Sequence, residues 1–116
     1  MRFIQAFPIV LISLLSDQAS AQITLDEKAR ALSIIADYAD RICVPKGQRT
    51  SAEIRAELTA EMNSLLRGLI DIKPAFSANY KADSYIGIIQ EKIEGLALKP
   101  ADCKKEAAAV IKADIF

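Results

Sequence analysis

The sequence contains no histidine. That absence removes the Ser-His-Asp and Cys-His arrangements of nucleophilic catalysis, the commonest metal ligand, and the side chain best suited to switching charge at mildly acidic pH. An excess of charge of one sign is missing too: 15 basic residues stand against 15 acidic ones. Sequence-independent nucleic-acid binding relies on a basic excess that displaces counterions, so no nucleic-acid partner is expected. Binding to anionic lipid surfaces loses the same support. Glycine is scarce and scattered, and no glycine-rich phosphate loop occurs. Only two cysteines are present, with no C-x-x-C pair, which leaves little for a zinc site. Neither a metal nor a cofactor is expected.

Long apolar runs are also rare, and the main one lies at the start. Met1-Arg2 gives a short positive opening, Phe3 to Leu15 is largely apolar, and Ser16 to Ala21 is polar and ends in Ala19-x-Ala21. This three-part layout is that of a secretory signal, with cleavage expected before Gln22. The apolar run is shorter than the roughly 20 residues that span a bilayer. The reading is therefore a signal peptide over 1–21 and one domain over 22–116. A periplasmic or secreted destination and no stable membrane anchor after cleavage go with it.

What remains is rich in helical periodicity. Thr24-Leu25-Asp26-Glu27 fits a capping box. Leu25, Ala29, Leu32, Ile35, Ala36, Ala39, Ile42 and Cys43 follow at three- and four-residue steps, and Val44-Pro45 closes the segment. Thr50-Ser51-Ala52-Glu53 opens a second segment, with Ile54, Leu58, Met62, Leu65, Leu69 and Ile72 as its stripe, widened by Leu66 and Ile70. Gly68 weakens its last turns and Pro74 limits it. Pro74 can open a single helical turn. A third helix is expected near Asp83-Ser84, with Tyr85, Ile86, Ile89, Ile93 and Leu96 on its face. A fourth starts around Pro100, with Cys103, Ala107, Val110 and Ile111 inward. No alternating strand pattern is present. The fold class is all-α, a compact four-helix domain.

Cys43 ends the first stripe and Cys103 begins the fourth. Antiparallel packing of those helices brings the two positions together, and export to an oxidising compartment favours a disulfide. Closing a loop of about 60 residues stabilises by roughly 4 kcal/mol in the chain-entropy model.

Three groups of residues are candidates for function. Lys46 and Arg49 place two cations before a helix start, which can hold an anion or simply form a solvated turn, and with the loop 44–51 they are a candidate partner surface. Glu53, Glu57 and Glu61 share one face at four-residue steps, so they can act as paired acids or form an ordinary charged face. Asp37 and Arg41 read as an i,i+4 surface pair. Tyr80, Tyr85 and Gly87 combine two tyrosines with a glycine that permits close approach. That group reads as a partner surface or, more simply, as core packing.

The segments ALSIIADYADRIC, AELTAEMNSLLRGLIDI and YKADSYIGIIQEKI, with the later Cys103, form a set. Together they resemble a small bacterial helical domain family found in exported or envelope-associated proteins. The likeness extends over residues 29–110. It implies that Cys43 and Cys103 belong to one framework, and it brings no catalytic residue with it. The functional expectation is a non-enzymatic protein-interaction module of the bacterial envelope, with an unknown protein partner. The alternatives are a periplasmic chaperone, an inhibitor of an envelope enzyme, or a hydrolase using the glutamate face.

Overall fold

The computed structural model describes residues 23–95 and 98–116. The expected signal segment 1–21 and Leu96 lie outside the described residues. Helix α1 (Leu25–Ile42) and helix α2 (Ser51–Ile72) start by the same device. The Thr24 hydroxyl accepts from the Glu27 amide at 3.0 Å, while the Glu27 carboxylate accepts from the Thr24 amide at 2.9 Å. Thr50 and Glu53 repeat the exchange, both bonds at 3.1 Å. Each box satisfies two amides that the helix itself leaves open. The stops come from proline. Lys73 is extended (φ −157°, ψ 116°) because Pro74 follows it. Pro74 then opens a short 3-10 helix, Pro74–Asn79.

Helix α3 spans Ala82–Glu94 and helix α4 spans Pro100–Ile115. Helix α3 begins slightly before the expected Asp83-Ser84. Its first bond runs from the Tyr85 amide to the Lys81 carbonyl at 3.1 Å, with no side chain capping Lys81. Burial of Tyr85 fixes that start, and Asp83 falls inside the first turn, where a negative charge suits the helix dipole. Each of the four helices packs against two others, α1 on α2 and α4, α3 on α2 and α4, and the 3-10 helix covers one end of α2 and α4. Neighbouring helices run antiparallel. Glu27 at the start of α1 meets Lys73 at the end of α2 (3.3 Å), and Ser51 at the start of α2 meets Gln90 late in α3 (2.9 Å).

The core is wholly apolar among the described residues apart from tyrosine hydroxyls. Helix α2 buries Ile54, Leu58, Met62, Leu65 and Leu69, as its spacing predicts, while Ile70 stays partly open to solvent. Helix α1 corrects its expected stripe. Ala31, Ile35, Tyr38, Ala39 and Ile42 are buried, whereas Ala29 and Ala36 are exposed and Leu25 is 89% exposed. The inward face is rotated towards Tyr38, because a tyrosine ring gains far more from burial than the methyl of Ala36. Gly68 has a structural reason: a Cβ there would lie 3.0 Å from Ile34 Cδ1, so the glycine permits the close α1–α2 approach.

Cys43 and Cys103 are bonded, with Cα atoms 5.8 Å apart and a sequence separation of 60. The bond joins the end of α1 to the start of α4. It is the covalent staple the stripe positions predict.

Candidate cleft at the disulfide end

Among the described residues, the end of the bundle that carries the disulfide is left open. Past Cys43 the chain turns through Val44–Arg49 to reach α2, and Gly47 makes the turn at φ +62°, a left-handed conformation that favours glycine. Across from it, Ile93 and Glu94 end α3, and Leu98 leads to Pro100 and Cys103 in α4. Between the two stretches lies a cleft of about 680 Å³, with Ile54 of α2 in its lining. Both half-cystines line it, so the disulfide forms the wall where the two stretches meet. Its apolar residues include Val44, which is 45% exposed, and the half-buried Ile93 and Leu98. The volume falls in the range of ordinary ligand pockets, roughly 300–1,000 Å³.

The charges around the cleft are held by their own neighbours. Lys46, only 6% exposed along its side chain, donates to Glu57 Oε1 at 3.1 Å, and Arg49 donates to the other oxygen of the same carboxylate. The place an external anion could take between these two cations is filled from within, by Glu57. Partial burial works against ionisation of Glu57, but Lys46 and Arg49 outweigh it and hold the carboxyl below its usual range. Glu94 is also held low, first by Ser51 and then by Gln90.

The remaining glutamates are engaged in the same way. Glu53 belongs to the capping box, and the Thr50 amide lowers its pKa. Glu61 accepts from Arg41 Nε at 2.6 Å. Arg41 thus reaches across to α2 rather than along α1 to Asp37, correcting the expected surface pair. The interhelical contact wins because α2 places Glu61 beside the last turn of α1. The face Glu53–Glu57–Glu61 is a seam whose members each have a structural partner. A general acid needs a raised pKa, and no resolved shift on this face runs that way.

The tyrosine segment packs inward. Tyr85 is buried, and its ring meets Tyr80 edge-on at 5.3 Å. The half-buried Tyr80 donates its hydroxyl to the Met62 carbonyl at 2.9 Å, and Tyr85 donates to the Asn79 carbonyl at 3.4 Å. Burial pushes the Tyr80 hydroxyl well above its ordinary value and that of Tyr85 to about 12. Of the two readings of this segment, core packing describes the tyrosines. Gly87 is corrected as well: a Cβ there would meet nothing within 4 Å, so no neighbour approaches it.

Among the described residues no three His, Cys, Asp or Glu side chains gather as a metal site, and no helix is long and apolar enough to cross a membrane. The cleft itself escaped sequence reasoning, because its walls come from two connections far apart in the chain. One signal was present: Lys46 and Arg49 precede a capped helix whose next acid after Glu53, Glu57, lies one turn further on. No family model, curated protein or solved structure matches the chain.

Proposed function

We propose that the protein is a non-enzymatic binding module of the bacterial envelope that receives apolar side chains of a partner protein in the disulfide-end cleft. The observation that carries this reading is the cleft of about 680 Å³, lined by the exposed Val44 and the half-buried Ile93 and Leu98, whose cations are paired internally with Glu57. A partner that fills it covers Val44, Ile93 and Leu98 and gains from their burial. The cations at the rim are taken up by Glu57, so an anion brought there gains no counter-charge without breaking those contacts, which favours a partner whose anchors carry no negative charge. Export over residues 1–21 belongs to the same proposal and suits a domain held by a disulfide.

The reading draws no support from acid catalysis, since the glutamates of α2 are engaged in capping and ion pairs. Val44→Asp places a charge in the cleft at a residue already 45% exposed, so the fold is kept. Recovery of a partner from envelope extract is expected to fall at least about tenfold, the effect of losing roughly 1.4 kcal/mol. Undiminished recovery with a correctly folded variant would remove the cleft as the binding site.

A further inference from the structure

We infer that the cleft is redox-gated: the Cys43–Cys103 bond holds its walls together, and the reduced chain keeps its helical core but loses the cleft. This rests on the cleft being the binding site, as proposed above. The argument begins with what crosses the gap. One wall, Val44 to Arg49, leads away from Cys43, and the other side is lined by Ile93 and Glu94 at the end of α3 and by Leu98 and Pro100 before Cys103. The disulfide joins them at one side. At the other side the Gln90 amide donates to the Ser51 carbonyl at 2.9 Å, an exposed contact. Between α1 and α4 at this end the only other polar tie among the described residues is Lys104–Asp40 at 3.3 Å, with both side chains about half exposed. Exposed pairs of this kind hold little.

The walls differ in what fixes them. The Val44–Arg49 wall is fastened to α2 by Lys46, 6% exposed along its side chain, on Glu57, and the half-exposed Arg49 on the same carboxylate adds less. These contacts do not depend on the sulfurs. The start of α4 has apolar packing, through Cys103 and Ala107 in the core and Leu98 against it, but no near-buried ion pair among the described residues, and its cap, Lys99, forms no side-chain cap bond. Cys103 lies in that turn, so the disulfide is its strongest tie to α1. The opposite end of the bundle is locked separately, by the Phe76–Phe116 ring contact at 6.0 Å, the Tyr80 hydroxyl on Met62 and the Lys73–Glu27 pair. Breaking the bond therefore frees the start of α4 and spreads the cleft without removing the core.

The cleft is the side from which a reductant meets the bond, since both half-cystines line it, each with 6% of its surface exposed. A thiolate of a dithiol attacks one sulfur, the S–S bond breaks, and the departing cysteine takes a proton. The donor's second thiolate then attacks its own sulfur in the mixed disulfide, and the second cysteine leaves and is protonated. The products are one oxidised donor and two protein thiols, and the reverse exchange with a disulfide donor restores the cleft.

Amide hydrogen exchange on the oxidised protein and on the protein in dithiothreitol tests the gate, together with NMR shifts on titrating propanol as a small apolar probe. Reduction is expected to speed exchange in the first turns of α4, Cys103 to Ala107, by about tenfold or more, and to leave Ile35, Leu58 and Leu65 protected. Propanol shifts at Val44, Ile54 and Ile93 are expected in the oxidised form and lost in the reduced one. A Cys43→Ala/Cys103→Ala variant is expected to match the reduced protein without thiol in solution. Unchanged exchange at Cys103–Ala107 overturns the gate. So does loss of protection at Leu58 and Leu65, or a double variant that fails to fold, since the bond would then hold the whole fold. Absence of propanol shifts in the oxidised protein counts against the cleft as a binding site, while the exchange data still decide the gate.

Discussion

Replacing Tyr38 by phenylalanine should make the protein more stable. Tyr38 is fully buried, and its hydroxyl finds no hydrogen-bond partner among the described residues. Burial raises its pKa far above the ordinary tyrosine value, and the Glu61 charge adds to the shift, so the group is neutral at any working pH. A buried hydroxyl without a partner costs about 1–3 kcal/mol in lost hydration. Tyr38→Phe removes that cost. The vacated oxygen leaves a gap on the order of 10 Å³, worth about 0.2 kcal/mol against the variant at roughly 24 cal/mol per Å³. The expected net gain is about 1–3 kcal/mol, read as a rise in the urea midpoint by circular dichroism. Tyr80→Phe is the matched control. It makes the same chemical change, but the Tyr80 hydroxyl donates to the Met62 carbonyl at 2.9 Å, so the variant should lose about 0.5–1.5 kcal/mol. Two tyrosine-to-phenylalanine changes in one core are thus expected to move stability in opposite directions. A loss at Tyr38 equal to that at Tyr80 would refute the reasoning and show that its hydroxyl is satisfied in solution.

Three further outcomes follow from the same structure. Cys43→Ala/Cys103→Ala is expected to lower unfolding free energy by about 4 kcal/mol, through the loop of 60 residues it reopens, as measured by urea titration. Glu27, Glu53, Glu57 and Glu94 all ionise below the ordinary glutamate value of 4.5. As pH falls the unfolded chain takes up these protons first. Stability should therefore be fully present above about pH 5 and decline as pH drops through the folded-state values, and a urea midpoint that rises on acidification would contradict this. Gly87→Ala fills open space in the middle of α3 and should stabilise by about 0.5–1 kcal/mol in thermal unfolding, whereas a loss would mean that a neighbour does approach there.

Much of the fold was legible because the helix boundaries are written in local chemistry. Thr24 with Glu27, Thr50 with Glu53, and the two prolines at 45 and 74 set starts and stops that need no tertiary information. The disulfide was legible because an antiparallel bundle fixes which helix ends meet. Tyr38 was missed because periodicity weighs alanine and tyrosine alike as stripe members, while the packed core weighs them by area. Arg41 was assigned to Asp37 because only neighbours along one helix are visible in a sequence. Its contact with Glu61 lies 20 residues away and depends on the pairing of α1 with α2. The cleft was hidden for the same reason: its walls are joined by packing and by sulfur rather than by sequence proximity.

The pairing of α1 with α4 also sets an order of events during synthesis. Helix α1 can dock on α2 as soon as both have emerged, because a short turn joins them. The side of α1 that faces α4 must wait for the last segment of the domain. At roughly 5–20 residues per second, the 60 residues from Cys43 to Cys103 take about 3–12 s to appear. For that interval the side of α1 that packs on α4 lacks its cover, and Cys43 is a thiol without its partner. Thiol exchange runs on a timescale of seconds to hours, so the nascent chain can form a bond with another molecule before its own second cysteine exists.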